Sequence, residues 1–108
     1  METCKSLDEV RGHIDRLDQQ IIGLLSERSQ YVKQAATFKK DTDAVKAPAR
    51  VEAVITKVRE LASANELNPL VAEQVYRAMI AAFIEDELQE HARLQQMPKP
   101  AADSDAQA

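Results

Sequence analysis

"LDEVRGHIDRLDQQIIGLLSERSQYVKQAATFKK", residues 7–40, carries Leu7, Val10, Ile14, Leu17, Ile21, Leu24, Arg28, Tyr31, Ala35 and Phe38 at alternating intervals of three and four. That alternation is the period of one helical face and not of a strand, so the stretch predicts a single long α-helix. Ser6 and Glu9 stand at the S-x-x-E spacing of a capping box, which marks the start, and no proline follows before Pro48. Gly23 weakens the run by ~1 kcal/mol relative to Ala. A helix from Leu7 to Lys40 would be on the order of 50 Å long at 1.5 Å per residue. The rest of a 108-residue chain offers too little to cover it, so much of the seam is expected to pack on a second copy of itself. A homodimer is the predicted assembly.

Outward from this helix, "DTDAVKA" at 41–47 breaks the period and reads as a polar loop, closed by Pro48 at the first position of a second helix. Val51, Val54, Ile55, Val58, Leu61 and Ala62 give that helix one apolar face, and it should end near Asn65. Asn68 followed by Pro69 is an N-cap and first-turn pair. It opens a third helix through Val71, Val75, Tyr76, Met79, Ile80, Phe83 and Leu88 to about Leu94. The expected fold is all-α, with one long and two shorter helices forming one domain over residues 1–95. Residues 96–108, which include "MPKPAADSDAQA", have no apolar period and are expected to form a disordered tail.

Composition narrows the function. With 14 Lys and Arg against 18 Asp and Glu, the net charge is −4 and no basic block is long enough to neutralise a run of phosphates, so nucleic acid is not expected as a partner. Cys4 is the one cysteine, which excludes an intrachain disulfide and suits a reducing compartment, with the cytoplasm as the expected location. The N-terminus has no basic-then-apolar run, and no apolar stretch approaches the ~18–20 residues that span a bilayer, so no membrane association is expected. His13 and His91 have no partner at ligand spacing, and Gly12 and Gly23 both lie inside the first helix rather than in a phosphate loop. Neither metal nor nucleophile is suggested. Ser26, Ser29 and Thr37 have no base identifiable beside them and read as helix-surface residues.

Two polar residues interrupt apolar stripes. Arg28 stands between Leu24 and Tyr31, where a charge must snorkel to water, pair with an acid or meet a ligand. Lys39 lies eleven residues on, ~20° around the helix and ~16 Å along it, and therefore shares Arg28's face. Arg11 is seventeen residues from Arg28, ~25 Å along the same helix, so one helix cannot bring both guanidinium groups to a small ligand. An antiparallel copy would bring Arg11 of one chain toward Arg28 of the other. On the third helix Glu87 continues the stripe of Tyr76, Ile80 and Phe83; it is either a solvated member of "EDE" at 85–87, a salt-bridge partner, or a site carboxyl. Two arginines, a lysine and a carboxyl group would suit a small dicarboxylate, since arginine grips carboxylates bidentately.

These residues resemble the all-helical chorismate mutase family, which also contains isochorismate pyruvate-lyases. The resemblance spans about residues 7–94 and rests on "RGHIDRLDQQIIGLLSERSQYVKQAATFKK" (11–40), "APARV" (47–51) and "VYRAMIAAFIEDE" (75–87). It implies an intertwined three-helix homodimer whose active sites each take one arginine from the neighbouring chain. It also implies that Arg28, Arg50 and the neighbour's Arg11 bind substrate, while Lys39 and Glu87 are catalytic groups aimed at the ether oxygen, with no cofactor and no covalent intermediate. Donation from Glu87 needs its protonated form, so activity is expected to rise toward acid pH. The family's mutases carry acidic residues around the start of the second helix, where this chain has Ala47 and Val51. "YVKQAATFK" and "APARV" look closer to the lyase branch, whereas glutamate at 87 leans toward the mutases. The expected activity is rearrangement of chorismate to prephenate. The alternatives are cleavage of isochorismate to salicylate and pyruvate, or both activities, and a non-catalytic helical dimer that senses an aromatic-pathway metabolite.

Overall fold

The computed structural model describes residues 1–38 and 47–96. Three α-helices account for most of them, α1 (Leu7–Ala36), α2 (Pro48–Ala64) and α3 (Pro69–Gln96), in that order. The described residues contain no strand. They form two compact units, one containing α1 and the other containing α2 and α3.

In the first unit, α1 starts where the capping signal puts it, with Glu9 N donating to Ser6 Oγ at 3.1 Å. The return bond of the box lands one residue early, because Glu9 Oε1 accepts from the Lys5 amide at 3.2 Å rather than from Ser6. Asp8 and Glu9 in the first turn and Lys33 in the last complement the helix dipole. The helix ends at Ala36 with Thr37 as C-cap, earlier than the expected Lys40. Thr37 contributes to that end by donating its hydroxyl to Gln34 O at 2.7 Å. Lys39 and Lys40, residues 41–46 of the expected loop and most of the tail expected at 96–108 lie outside the described residues.

No residue of α1 is buried within the chain. Leu24 is 65% exposed, Tyr31 64% and Phe38 85%, and Leu7, Val10, Ile14, Leu17 and Ile21 are exposed with them. The less accessible residues are His13 near the start and then Leu25, Arg28, Ser29, Val32 and Ala36, of which all but Arg28 in this second group stand one position past the seam. Arg28 is therefore the one seam residue that is half-buried. The alternating seam and the shielded stripe are two adjacent faces, and the sequence period alone cannot separate faces 100° apart.

In the second unit, α2 and α3 form an antiparallel hairpin around Val58, Ala62 and Ala72, with Val54 and Tyr76 packed against them. Ile55 is buried as well, whereas Leu61, Val71 and Val75, expected on inward faces, are exposed within the chain. Half-buried Tyr76, Met79, Ile80, Phe83, Ile84, Glu87 and Leu88 continue the inward stripe of α3 as its spacing predicts. The turn is tightly specified. Leu67 N donates to Ala62 O at 2.8 Å and Glu66 N to Ser63 O at 3.2 Å, the pair of bonds of a Schellman motif, with Glu66 at φ 59° in the left-handed position. Asn68 then caps α3, its Oδ1 accepting from Leu70 N at 2.9 Å. Among the described residues no helix is long and apolar enough to cross a membrane.

Candidate functional site

The expected site residues fall in both units. Arg11 is exposed in the first third of α1, and Arg28 is half-buried on the same helix. Their ~25 Å axial separation holds, because α1 runs unbroken through both positions. Lys39 lies outside the described residues. Arg50 is exposed in the first turn of α2, and Glu87 is half-buried on α3 with its Oε2 shut off from solvent.

The ion pairs across the hairpin fix its register, with Glu52 opposite Arg77 and Arg59 opposite Glu73. Pro48, four residues before Glu52, therefore lies near position 81 of α3, and Glu87 extends ~9 Å beyond the start of α2. Arg50 and Glu87 thus both lie toward the end of the hairpin away from its turn, ~12 Å apart along its axis. Arg50 offers a guanidinium that can pair with a carboxylate, and Glu87 a carboxyl group with one shielded oxygen.

Ser29 and His13 are engaged locally. Ser29 Oγ donates to Ser26 O at 2.9 Å, a back-bond that occupies its proton within the helix. His13 lies 3.7 Å from Glu2 and within 3.4 Å of an Arg16 guanidinium nitrogen, an arrangement confined to the exposed start of the chain. Among the described residues no cluster of three or more His, Cys, Asp and Glu could hold a metal ion.

One polar cluster was not singled out by the sequence. Arg77 donates from both terminal nitrogens to Glu52, at 2.9 and 3.0 Å, and from Nε to Glu73 at 2.8 Å. Arg59 completes the chain by donating to the other oxygen of Glu73. Hydrogen bonds from Arg77, first of all, hold the carboxyls of Glu52 and Glu73 below the ordinary carboxylate value, and for Glu73 the bond from Arg59 adds to the effect. The same bonds raise the Arg77 guanidinium further above its already high value. The i, i+4 spacing of Glu73 and Arg77 was a visible signal. Their pairing across to α2 was not, because it depends on the register of two helices.

Comparison with known proteins shows the family. The family model described as chorismate mutase type II matches residues 10–88, a span that includes parts of all three helices. An isochorismate pyruvate lyase of Pseudomonas aeruginosa is 33% identical over 87 residues, which is 81% of this chain and 86% of that protein. The matched family span includes Arg11, Arg28, Lys39, Arg50 and Glu87, and the chain belongs to the chorismate mutase type II family.

Proposed function

We propose that the protein is a cofactor-independent enzyme that binds a chorismate-type dicarboxylate and rearranges chorismate to prephenate. The observation that carries this reading is the half-buried Arg28 on an otherwise apolar helix face, within a chain of this family. Arg28, Arg50 and Arg11 of a second copy bind the substrate, the carboxylates being gripped by guanidinium forks. Lys39 and Glu87 are directed at the ether oxygen. C–O cleavage runs ahead of C–C formation in such a rearrangement, so negative charge grows on that oxygen. Fixed donors aimed at it in a water-poor site stabilise the transition state more than the ground state. Gripping both carboxylates also selects the compact, reactive conformer.

The homodimer belongs to the same proposal. The exposed seam of α1 from Leu7 to Tyr31 needs a cover, and an antiparallel second α1 would supply both the cover and the distant Arg11. This location of the site makes the protomer alone an incomplete catalyst.

Two observations favour isochorismate cleavage to salicylate and pyruvate as the second reading. Ala47 and Val51 leave the start of α2 without the acidic residues that the family's mutases carry there, and the Pseudomonas aeruginosa relative is named a lyase. The enolpyruvyl ether and the two carboxylates are common to both substrates, so one clamp serves either reaction. The purified protein is to be mixed with chorismate and, separately, with isochorismate, and the products resolved. Prephenate from the first supports the mutase, and salicylate with pyruvate from the second supports the lyase. Arg28→Ala is expected to abolish turnover while leaving the assembly state unchanged, and turnover of neither substrate by the wild type would sink the enzyme reading in favour of a metabolite-sensing dimer.

A further inference from the structure

The first turn of α2 carries Arg50 and lacks the support given to the other helix starts. Ser6 caps α1 and Asn68 caps α3 through their side chains, whereas the N-cap of α2 is Ala47, with φ 37° and ψ 62° and no side-chain acceptor. No acidic residue stands in that first turn to meet the helix dipole. Its orphan amides and its left-handed entry therefore contribute little to holding it. What reaches it from elsewhere in the hairpin is Arg77, whose two parallel bonds end on Glu52, two residues past Arg50. A bidentate pair fixes direction as well as distance, and the third bond of Arg77, to Glu73, braces the fork along α3. Glu73 also accepts from Arg59, seven residues nearer the turn than Glu52, a bond that the Arg77–Glu52 tie does not need.

We propose that Arg77 is a positioning residue, which by gripping Glu52 holds the first turn of α2 so that Arg50 is presented to the carboxylate of the substrate. Its fork is spent on Glu52, so it acts through Arg50 and not on the ligand. The inference rests on the reading of Arg50 as a carboxylate-binding residue. With the tie removed, the turn samples more directions, and the guanidinium spends less time in the binding geometry. The loss falls on substrate binding in ground state and transition state alike, which raises KM and leaves kcat near its wild-type value.

The test compares Arg77→Met, Glu52→Gln, their double variant and Arg59→Met, with steady-state kinetics on whichever substrate the wild type turns over, thermal melting, and amide hydrogen exchange at Val51. Arg77→Met and Glu52→Gln are each expected to raise KM about three- to fivefold, the range open to an exposed ion pair, with kcat within about twofold. The double variant should be no worse than the more affected single one, and exchange at Val51 should quicken in all three. Arg59→Met breaks the same network nine residues from Arg50; it should lower the melting temperature without moving KM. An unchanged KM in Arg77→Met, or an equal rise in Arg59→Met, would overturn the proposal, because the network would then only stabilise the hairpin. Should Arg77→Met not fold, Glu52→Gln carries the same comparison. A wild type that turns over neither substrate overturns the parent reading and this one together, and that failure is seen before any variant is made.

Discussion

Glu66 occupies a left-handed backbone position, φ 59°, at the C-terminal turn of α2. Both bonds of the Schellman motif depend on it, yet glutamate has a Cβ that this region disfavours, by roughly 1–2 kcal/mol against a helical conformation. Glycine accepts the same dihedrals freely. Glu66→Gly is therefore expected to raise stability by about 1 kcal/mol, a melting-temperature increase of several degrees, measurable by thermal denaturation at fixed protein concentration. A decrease would mean that the glutamate side chain contributes more than its backbone strain costs. At the same scale, Arg28 and Glu87 were legible in the sequence because a charge on an apolar stripe stands out without any knowledge of tertiary structure. Arg77 and Glu52 were not, since each is an unremarked charge on its own helix and becomes a pair only when α2 and α3 are set side by side.

At the scale of elements, the Glu52–Arg77–Glu73–Arg59 network ties α2 to α3 across a small core. Both carboxyls sit below their ordinary value in the folded chain because of the hydrogen bonds from Arg77. A depressed folded value means that this contribution is complete above the unfolded carboxylate value and is lost as pH falls through the folded ones. The wild type should thus lose stability more steeply than Arg77→Met between about pH 5 and pH 3 in denaturant titrations. Glu52 and Arg77 are both well exposed to solvent, so added salt should narrow the difference. Parallel acid limbs for the two proteins would remove the network from the stability of the hairpin. Helix starts were largely legible, because Ser6, Pro48, Asn68 and Pro69 act locally. The end of α1 was not. Its apolar period runs on to Phe38 while the cap falls at Thr37, and a period reports which face is apolar, not where the backbone bonding stops.

For the whole molecule, the decisive feature is the uncovered face of α1. Leu17 and Ile21 are exposed within the chain, and in a monomer their replacement by aspartate would be nearly neutral, within about 0.5 kcal/mol. If that face is instead the seam of a homodimer, Leu17→Asp or Ile21→Asp should dissociate the protein, lower its melting temperature sharply and abolish turnover. Sedimentation and a melting temperature that rises with wild-type concentration would check the same point independently. The sequence pointed to this seam by its three-four period and to a second copy by length, since a helix so long outruns what the rest of the chain can cover.

The hairpin core adds a consequence of a mechanical kind. Ala62 and Ala72, two of the smallest side chains available, set how closely α2 and α3 approach beside their turn. Arg50 stands twelve residues further along α2, ~18 Å away. The turn is then a fulcrum and α2 a lever arm, so an ångström of extra bulk near the pivot becomes several at the far end. The direction of the first turn of α2 thus depends on two methyl groups at the pivot as well as on the Glu52–Arg77 tie at the far end.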